Sequence, residues 1–353
     1  MKVAILNDTH AGARNASDIF ADNADLFYTD IFFPYLIANN IKRIIHLGDI
    51  FDNRKFINFK SLHRFRKSFL ANLRKHHIHM DIIPGNHDVF YKNTNELNAL
   101  KELLGHYMGE VTIHMDPTVL DLNGFKMALL PWVCQDNYDH SIEFIQNCKA
   151  DWLGGHLELM GFDVLKGVQA HSGMDHKIFS RFEKVITGHF HTASQKDNIH
   201  YLGSQLEFTW SDAHDPKHFH ILDTNTRELT PVLNPHTLFE RIRYDDTNVD
   251  YNIYDTSHLT NKFVKIVVIN KTDLFTFDRF VDRIQSEKIH ELKIAENFNE
   301  FLGENVEDES ISVEETTELL DSYVDAVDTE LDKDKLKVNM RNLLVEAQAM
   351  EIS

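Results

Sequence analysis

The sequence has little cysteine and no long apolar run, and both shortages limit the kind of protein that it can encode. Its 353 residues include two cysteines, Cys134 and Cys148, too few for a disulfide framework and suited to a reducing compartment. No window approaches the roughly 18 apolar residues that a membrane-spanning helix needs. The first residues, MKVAILNDTH, pass from a short apolar run into polar residues and are typical of a first strand rather than a signal peptide. We therefore expect a cytoplasmic protein without a membrane partner.

Positive charge is also scarce, and it is unevenly distributed. The chain carries 36 Lys and Arg against 55 Asp and Glu, for a formal net charge of −19. Residues 300–335 hold fourteen acids and two lysines, a net charge of −12, whereas residues 54–75 carry eight Lys or Arg and no acid. Charge this uneven indicates separate partners for the two regions, although each could instead be the solvated face of a helix.

Short apolar runs alternate with helical stretches from the start of the chain to position 230. In residues 58–75, apolar residues such as Leu62, Phe65 and Phe69 recur at helical spacing and predict one buried helix face. Alternation of this kind predicts an α/β (α+β) fold in which helices cover the sheets. The predicted strands are 2–6, 43–47, 80–84, 126–131, 151–155, 184–188 and 218–222.

The pattern restarts on a smaller scale after residue 240. A strand at 263–270, a helix at 275–288 and a strand at 290–297 predict a small βαβ-like unit that should dock on the first domain. The acidic stretch that follows predicts a linker, and the last segment predicts two short amphipathic helices. These helices could pack on their own body or dock a partner. The expected domains are therefore 1–232, 233–298 and 299–353.

Polar residues follow the ends of several predicted strands, where an α/β sheet lines its ligand-binding crevice. Two divalent cations about 3.5–4 Å apart need several ligands and a bridging carboxylate, and oxygen ligands together with imidazoles suit Mn²⁺, Mg²⁺, Fe²⁺ or Zn²⁺. Each motif alone is more typical of a surface pair or a turn, but the ordered set predicts a two-metal site. Its members are Asp8 and His10 in D-X-H, Asp49 and Asp52 in G-D-X-X-D, Asn86, His87 and Asp88 in G-N-H-D, His156 after a glycine, and His189 and His191 in G-H-X-H.

This ordered set resembles the calcineurin-like metallophosphoesterase superfamily. The stretch NIHYLGSQLEFTWSDAHDPKHFHILDT is similar to the SbcD-type nucleases of double-strand-break repair, in particular the phage recombination endonuclease subunits. The resemblance implies a two-sheet sandwich flanked by helices, with 1–232 as the nuclease domain and 233–298 as a small α/β cap that orients DNA. It also implies that 299–353 forms an acidic linker and a C-terminal helical arm that docks an SMC-like ABC ATPase of the SbcC type. Because the sequence has no G-x-x-x-x-G-K-[ST] loop, any ATP dependence must come from such a partner.

The resemblance further implies the function and the metal ligands. The expected activity is that of a DNA exonuclease and endonuclease that acts on double- and single-stranded ends, with a homodimer formed through the nuclease domain. A hydroxide that bridges two ions, Mn²⁺ or alternatively Mg²⁺, would attack the phosphodiester. The implied ligands of the first ion are Asp8, His10, Asp49 and His191, and those of the second are Asp49, Asn86, His156 and His189, with Asp49 bridging.

Four more residues have implied roles near the metals. His87 is expected to face the substrate and assist the leaving oxygen rather than bind metal. Asp88 is expected to orient His87 or to support the turn, and Asp52, where many relatives have a histidine, to hydrogen-bond to a metal-bound histidine. His171 is a further candidate for a position beside the metals or the substrate.

The basic helix joins the Asp49 motif to the Asn86 motif and should therefore lie beside the crevice. Its polar face predicts contacts to the DNA backbone, and no base-reading motif is present. Two other functions remain open: a phosphoesterase for small phosphoesters or cyclic nucleotides, and a non-catalytic scaffold. The candidate DNA contacts are Arg54, Lys55, Lys60, Arg64 and Lys67.

Overall fold

The computed structural model describes residues 1–165, 168–170, 172–295, 333 and 335–337. The chain divides into two units, Met1–Phe298 and Asn299–Ser353. The first unit contains both the expected nuclease region and the expected cap region. The predicted acidic linker and C-terminal helices fall almost wholly outside the described residues, and so does His171.

Strands and helices alternate in the first unit as the sequence predicts. Among the described residues, no helix combines the length and the apolar content that a bilayer crossing requires. The helices are α1 (Ala13–Ala16), α2 (Asp18–Leu26), α3 (Phe33–Ala38), α4 (Phe59–Phe65), α5 (Ala71–His76), α6 (Ala99–Leu104), α7 (Tyr138–Asn147) and α8 (Leu274–Ser286). The strands are β1 (Lys2–Leu6), β2 (Arg43–His46), β3 (His79–Ile82), β4 (Val89–Tyr91), β5 (Thr94–Asn98), β6 (Val111–Ile113), β7 (Thr118–Leu122), β8 (Phe125–Leu130), β9 (Trp152–His156), β10 (Asp163–Leu165), β11 (Val168–Gln169), β12 (Lys184–Gly188), β13 (Ser194–Lys196), β14 (Ile199–Tyr201), β15 (His218–Asp223), β16 (Glu228–Leu233), β17 (Phe239–Asp245), β18 (Phe263–Asn270) and β19 (Glu291–Ala295).

The predicted elements agree closely with the observed ones. Each strand predicted between residues 2 and 222 is present, with ends that lie within two residues of the predicted ends. The basic helix is found as α4, a π-helical segment Arg66–Leu70 and α5, which together run from Phe59 to His76. Ten strands are missing from the prediction: β4, β5, β6, β7, β10, β11, β13, β14, β16 and β17. Most of them are short, and in β17 polar residues such as Arg241 and Arg243 alternate with the buried ones and weaken the apolar pattern.

Most of the strands form two six-stranded sheets. The first has the order β16–β15–β1–β2–β3–β6, and the second has the order β13–β14–β12–β9–β8–β7. Strands β1, β2, β3 and β6 are parallel, as are β8, β9, β12 and β14. Antiparallel strands complete both sheets at their edges.

Alternating side chains of the strands divide the apolar core into layers. Val3 and Ile5 of the first sheet cluster with Met127 and Trp152 of the second, so the two sheets pack face to face. The other face of the first sheet packs against α2 to α5, and the other face of the second packs against α7. The result is a two-sheet sandwich flanked by helices, which confirms the predicted fold class.

A third sheet follows the sandwich in the chain. Strands β17, β18 and β19 are parallel and in register, and α8 covers one face through residues such as Phe277, Phe280 and Ile284. Phe239 and Phe263 of this sheet contact Phe20 of α2, with ring centroids 6.0 Å and 5.8 Å apart. We call residues 239–295 the cap sheet unit, and this contact docks it on the sandwich.

Candidate metal centre

The C-terminal ends of parallel strands bring the predicted ligands together at one end of the sandwich. Asp8 and His10 follow β1, and Asp49 follows β2. Asn86 follows β3, and His156 is the last residue of β9 rather than the first residue after it. His189 and His191 follow β12. Strand ends in α/β sheets commonly line binding crevices, and here they gather two clusters of donor atoms.

The first cluster consists of Asp8, His10 and His191, whose donor atoms all lie within 4.8 Å of one another. His10 Nε2 is 3.1 Å from His191 Nε2 and 3.8 Å from Asp8 Oδ1. Asp8 is fully buried and His10 is nearly so. Asp8 and His10 are therefore screened from bulk water, and His191 is partly exposed.

The second cluster consists of Asp49, His156 and His189, again with donor atoms within 4.8 Å. The side-chain oxygen of Asn86 joins it, 2.9 Å from His156 Nε2 and 2.9 Å from His189 Nδ1. Turning the amide over would place its nitrogen there instead. A cation would select the oxygen, because the amide nitrogen is not a ligand.

Asp49 lies between the two clusters. Its Oδ2 is 3.2 Å from His156 Nε2 and 4.0 Å from His10 Nε2. Its Oδ1 accepts a hydrogen bond from the His87 backbone N–H at 2.8 Å. The side chain is held where one carboxylate could serve both clusters.

The donor set fits two divalent cations. His10 Nε2 and His191 Nε2 lie 3.1 Å apart. At this distance the lone pairs of the two nitrogens would face each other unless a proton or a cation lay between them. Carboxylate, amide and imidazole donors in one small volume are a ligand set that Mn²⁺ and related ions accept. If ions are bound, Asp8, His10, Asp49 and His191 would hold one, and Asp49, Asn86, His156 and His189 the other.

Several of these donors have strained backbone. Asp8, His10, Asp49 and His189 have φ values of 46°, 42°, 57° and 89°, a left-handed region that costs a non-glycine residue about 1–3 kcal/mol. Gly85 allows the close approach of two loops, because a Cβ there would lie 2.1 Å from Asp49 Oδ1. Strain that is concentrated at the donors indicates that donor geometry is maintained at the expense of stability.

The electrostatics of the centre show how protons are held in the absence of cations. Burial raises the pKa of Asp49, but the charges of His156 and His87 outweigh it and hold that pKa well below its usual value. Burial lowers the pKa of His156, but the neighbouring Asp49 carboxylate raises it overall to about 9. Burial and the charge of His156 lower the pKa of His189 to about 3. The site thus favours the ionised form of the Asp49 carboxylate.

His87 lies at the rim of the centre. Its Nδ1 is 2.5 Å from the Asp52 carbonyl oxygen, and because a carbonyl can only accept, Nδ1 carries a proton and donates it. Nε2 is left for other contacts. The His87 ring lies 5.0 Å from that of His10, so a group bound to the first cluster would be within its reach.

Asp52 and Asp88 position the residues around them. Asp52 Oδ1 is 3.4 Å from His10 Nδ1, so it lies beside a candidate metal ligand, but it does not make the expected hydrogen bond, because His10 Nδ1 has no hydrogen-bond partner among the described residues. Asp88 is fully buried, and its carboxylate accepts from four backbone N–H groups at 2.8–3.3 Å. These groups belong to Asp49, Ile50, Phe51 and Gly85. Asp88 thus supports the turn, the second of its two expected roles, and fastens the two ligand-bearing loops to each other.

The candidate DNA contacts occupy different surroundings. Arg54 lies beside the second cluster, with Nη2 3.2 Å from the outward end of the Asn86 amide. Lys55 and Lys67 are exposed. Lys60 pairs with Asp18 at 2.6 Å, and Arg64 pairs with Asp22 and with Asp25 of α2. Acidic residues of α2, which is distant in sequence, therefore neutralise part of the positive charge of the basic helix.

Two aromatic residues that lie beside the clusters could not be identified from the sequence. The Trp132 ring lies 5.9 Å from that of His156 and 5.4 Å from that of His189. The Phe208 ring lies 5.2 Å from that of His10 and 5.3 Å from that of His191. Both residues are separated in sequence from the histidines that they contact, so no local pattern could have found them.

Some solved structures that resemble this chain are phosphoesterases. A novel archaeal phosphodiesterase matches with 17% identity over 66% of this chain and 100% of that one, at a TM-score of 0.33. A purple acid phosphatase from yellow lupin seeds matches with 11% identity over 65% of this chain and 52% of that one, at a TM-score of 0.39. No family model matches the sequence.

Sequence relatives are more informative. The fold and the donor set define a two-sheet α/β sandwich with a candidate two-metal centre at its strand ends. Exonuclease subunit 1 of enterobacteria phage T4 is 30% identical over 351 residues, which is 98% of this chain and 99% of that protein. The SbcD subunit of the SbcCD nuclease of Staphylococcus saprophyticus is 22% identical over 202 residues, 46% of this chain and 52% of that one. The chain belongs to the family of the phage exonuclease subunit 1, and the resemblance to SbcD-type nucleases is confirmed.

Proposed function

We propose that this chain is a two-metal-dependent DNA nuclease subunit that hydrolyses phosphodiesters, with exonuclease and endonuclease action. The observation that carries the proposal is the position of Asp49 between two donor clusters, each with two buried members and one partly exposed histidine. Its relationship to exonuclease subunit 1 over nearly the full length of both chains supports DNA as the substrate. Mn²⁺ is the proposed ion, because imidazole and oxygen donors are mixed in both clusters.

Each group of the site has a defined task in this proposal. When bound, two divalent cations would polarise the phosphate and ionise a water molecule. Asp49 places its Oδ2 toward both clusters, and Asp88 fixes the loop that carries it. His87 donates Nδ1–H to the Asp52 carbonyl. In the proposed mechanism it acts as the imidazolium, whose Nε2–H would give its proton to the leaving sugar oxygen and leave a neutral imidazole.

The proposed activity can be tested by incubating end-labelled duplex and single-stranded DNA with the wild-type chain and Mn²⁺. Cleavage that stops when EDTA removes the metal would support a two-metal nuclease. Hydrolysis of p-nitrophenyl esters or cyclic nucleotides without DNA cleavage would favour the small phosphoesterase instead. Failure on every ester, even with an ATPase partner added, would favour the scaffold.

The cap sheet unit is a proposed guide for DNA. Arg241, Lys265 and Lys293 are paired in register across β17, β18 and β19. They alternate with the residues that face α8, so this basic row lies on the opposite face of the sheet. Arg243, on the same face, is exposed. Lys265 is 3% exposed and Arg241 donates to the Trp210 carbonyl, so Arg243 and Lys293 are the members of this face proposed to contact phosphates without base reading.

Arg54 is the strongest proposed phosphate contact near the metals, because it lies beside Asn86. Arg54→Ala should weaken DNA binding and reduce the slope of log affinity against log salt by about 1, the loss of one phosphate contact. Lys60→Ala is the matched control, since Lys60 already pairs with Asp18. Fluorescence anisotropy over a salt series measures both variants. Equal slopes for Arg54→Ala and the wild type would remove Arg54 from the contact surface.

The chain is also proposed to form a homodimer and to bind an SMC-like ABC ATPase of the SbcC type. Phe56 and Phe59, 75% and 85% exposed at the start of the basic helix, support a dimer contact in the nuclease region. If Phe56 and Phe59 form the dimer contact, sedimentation equilibrium should show a monomer for Phe59→Ser.

The apolar spacing near Leu343 supports a helix that docks the ATPase. Unchanged co-elution of Leu343→Asp with the ATPase would exclude that site.

A further inference from the structure

One segment, Ser204–Lys217, lies between the first cluster and the cap sheet unit. It connects β14 to β15, and it includes a single 3-10 turn, Trp210–Asp212. Several of its polar residues are buried, among them Gln205, Glu207 and Asp212. We call it the connecting segment. Buried polar side chains in an irregular segment must have partners, and those partners lie on both sides of it.

On one side, the connecting segment touches all three members of the first cluster. The Phe208 ring packs edge-on against His10 and tilts against His191. Gln205 Nε2 donates to the Asp8 carbonyl at 3.1 Å. Lys217 Nζ donates to the His191 carbonyl at 3.0 Å. The first cluster thus takes part of its geometry from this segment.

On the other side, the segment is fastened to the cap sheet unit and to the residue before it. The Trp210 ring packs tilted against the Phe239 ring, with centroids 5.0 Å apart, and Lys265 Nζ lies 4.6 Å above the Trp210 ring. Arg241 Nη2 donates to the Trp210 carbonyl at 2.9 Å. Glu207 Oε2 accepts from the backbone N–H groups of Leu238 and Phe239 at 2.5 Å and 2.8 Å.

Between these two sets of contacts the segment is internally braced. Asp212 Oδ2 accepts from the N–H groups of Phe208 and Thr209 at 2.9 Å and 2.8 Å. Its Oδ1 accepts from Lys217 Nζ at 2.5 Å, and Asp215 accepts from the same ammonium at 2.9 Å. Lys217 is 3% exposed and Asp212 is 1% exposed. Because separating a buried ion pair is costly, we expect the backbone from Phe208 to Lys217 to move as one unit.

We propose that Phe208 and Trp210 are positioning residues through which the cap sheet sets the geometry of His10 and His191. A change in the position of the cap sheet unit then alters metal affinity at the first cluster. The second cluster takes its aromatic contact from Trp132, which lies outside both the connecting segment and the cap sheet unit. The inference rests on the proposed two-metal function and adds a route of regulation to it.

The test is a Mn²⁺ titration of the full chain, without DNA, by calorimetry and electron paramagnetic resonance. His10→Gln identifies which binding step belongs to the first cluster. Phe208→Leu and Trp210→Ala should weaken that step about 10-fold or more and leave the other unchanged, since residues that orient metal ligands typically contribute 10–100-fold. Trp132→Leu should do the reverse. A further variant, Lys265→Met, removes the ammonium above the Trp210 ring. Lys271→Met is its matched control, because the Lys271 ammonium also lies over an aromatic ring, that of Phe277 within the cap sheet unit.

Further variants separate positioning from a general loss of structure. Trp210→Phe retains a ring against Phe239 and should restore most of the lost affinity. Lys265→Met leaves the space around Trp210 filled and should weaken the first step several-fold, whereas Lys271→Met should not. Wild-type affinity in both Trp210→Ala and Lys265→Met would overturn the proposal while the nuclease function stands. A wild-type chain that binds no Mn²⁺ would overturn both.

Discussion

Asp49→Asn is expected to abolish Mn²⁺-dependent DNA cleavage, with a loss of at least about 1,000-fold. Two bound cations supply several kcal/mol of transition-state stabilisation, and a loss of about 1.4 kcal/mol already slows a reaction tenfold. Asparagine keeps the hydrogen bond from the His87 N–H but removes the charge shared by both clusters. Calorimetry should therefore show weakened binding of both ions, alongside the loss of cleavage.

Two aspartates serve as controls for Asp49→Asn. Asp52→Asn removes a charge from the contact to His10 Nδ1 and should cost about 10–100-fold, because it acts on one candidate ligand from outside the centre. Asp116→Asn, at an exposed position, should have no effect. If Asp49→Asn lost only one of two ions, Asp49 would belong to a single cluster and the bridging assignment would be wrong.

His87→Ala is expected to lower DNA cleavage by about 100- to 10,000-fold, the usual contribution of general acid catalysis, with Mn²⁺ affinity unchanged. The side chain reaches the rim of the centre, where Asp52 fixes its orientation, and it lies outside both donor clusters. Parallel measurements of cleavage rate and Mn²⁺ binding separate chemistry from metal loss.

The leaving group distinguishes proton donation from other roles of His87. A sugar oxygen needs a proton as it departs, but p-nitrophenolate leaves readily without one. His87→Ala should therefore lose much less activity on bis(p-nitrophenyl) phosphate than on DNA. Equal losses on both substrates would assign His87 to charge stabilisation, and an emptied metal site would make it a ligand.

The local elements and the donor set could be predicted from the sequence because both follow short-range rules. Apolar runs and turn residues specify the strands that lead to the donors and the positions at which these strands end. A strand end in a parallel sheet has a known edge, so Asp8, Asn86 and His189 could be assigned to one crevice. The fold class followed from the alternation of strands and helices.

Side-chain partners distant in sequence could not be predicted. Lys60 and Arg64 were expected to face DNA, but α2, which lies well before the basic helix in the chain, brings Asp18, Asp22 and Asp25 against them. Asp88 had two expected roles, and only its four backbone donors decide between them. Strand β17 could not be recognised in the sequence, because the basic residues on its face opposite α8 interrupt the apolar pattern.

The sequence by itself determined where the donor-bearing strands end and which donor residues follow them, since the order of strands and donors along the chain does not depend on packing. Only the tertiary structure decided that Asp49 lies between two clusters, that Phe208 and Trp132 contact different ones, and that the connecting segment joins the first cluster to the cap sheet. The physical reason is that these relations depend on distances between loops that are far apart in the sequence, and the sheet order and the packing of the sheets fix those distances together.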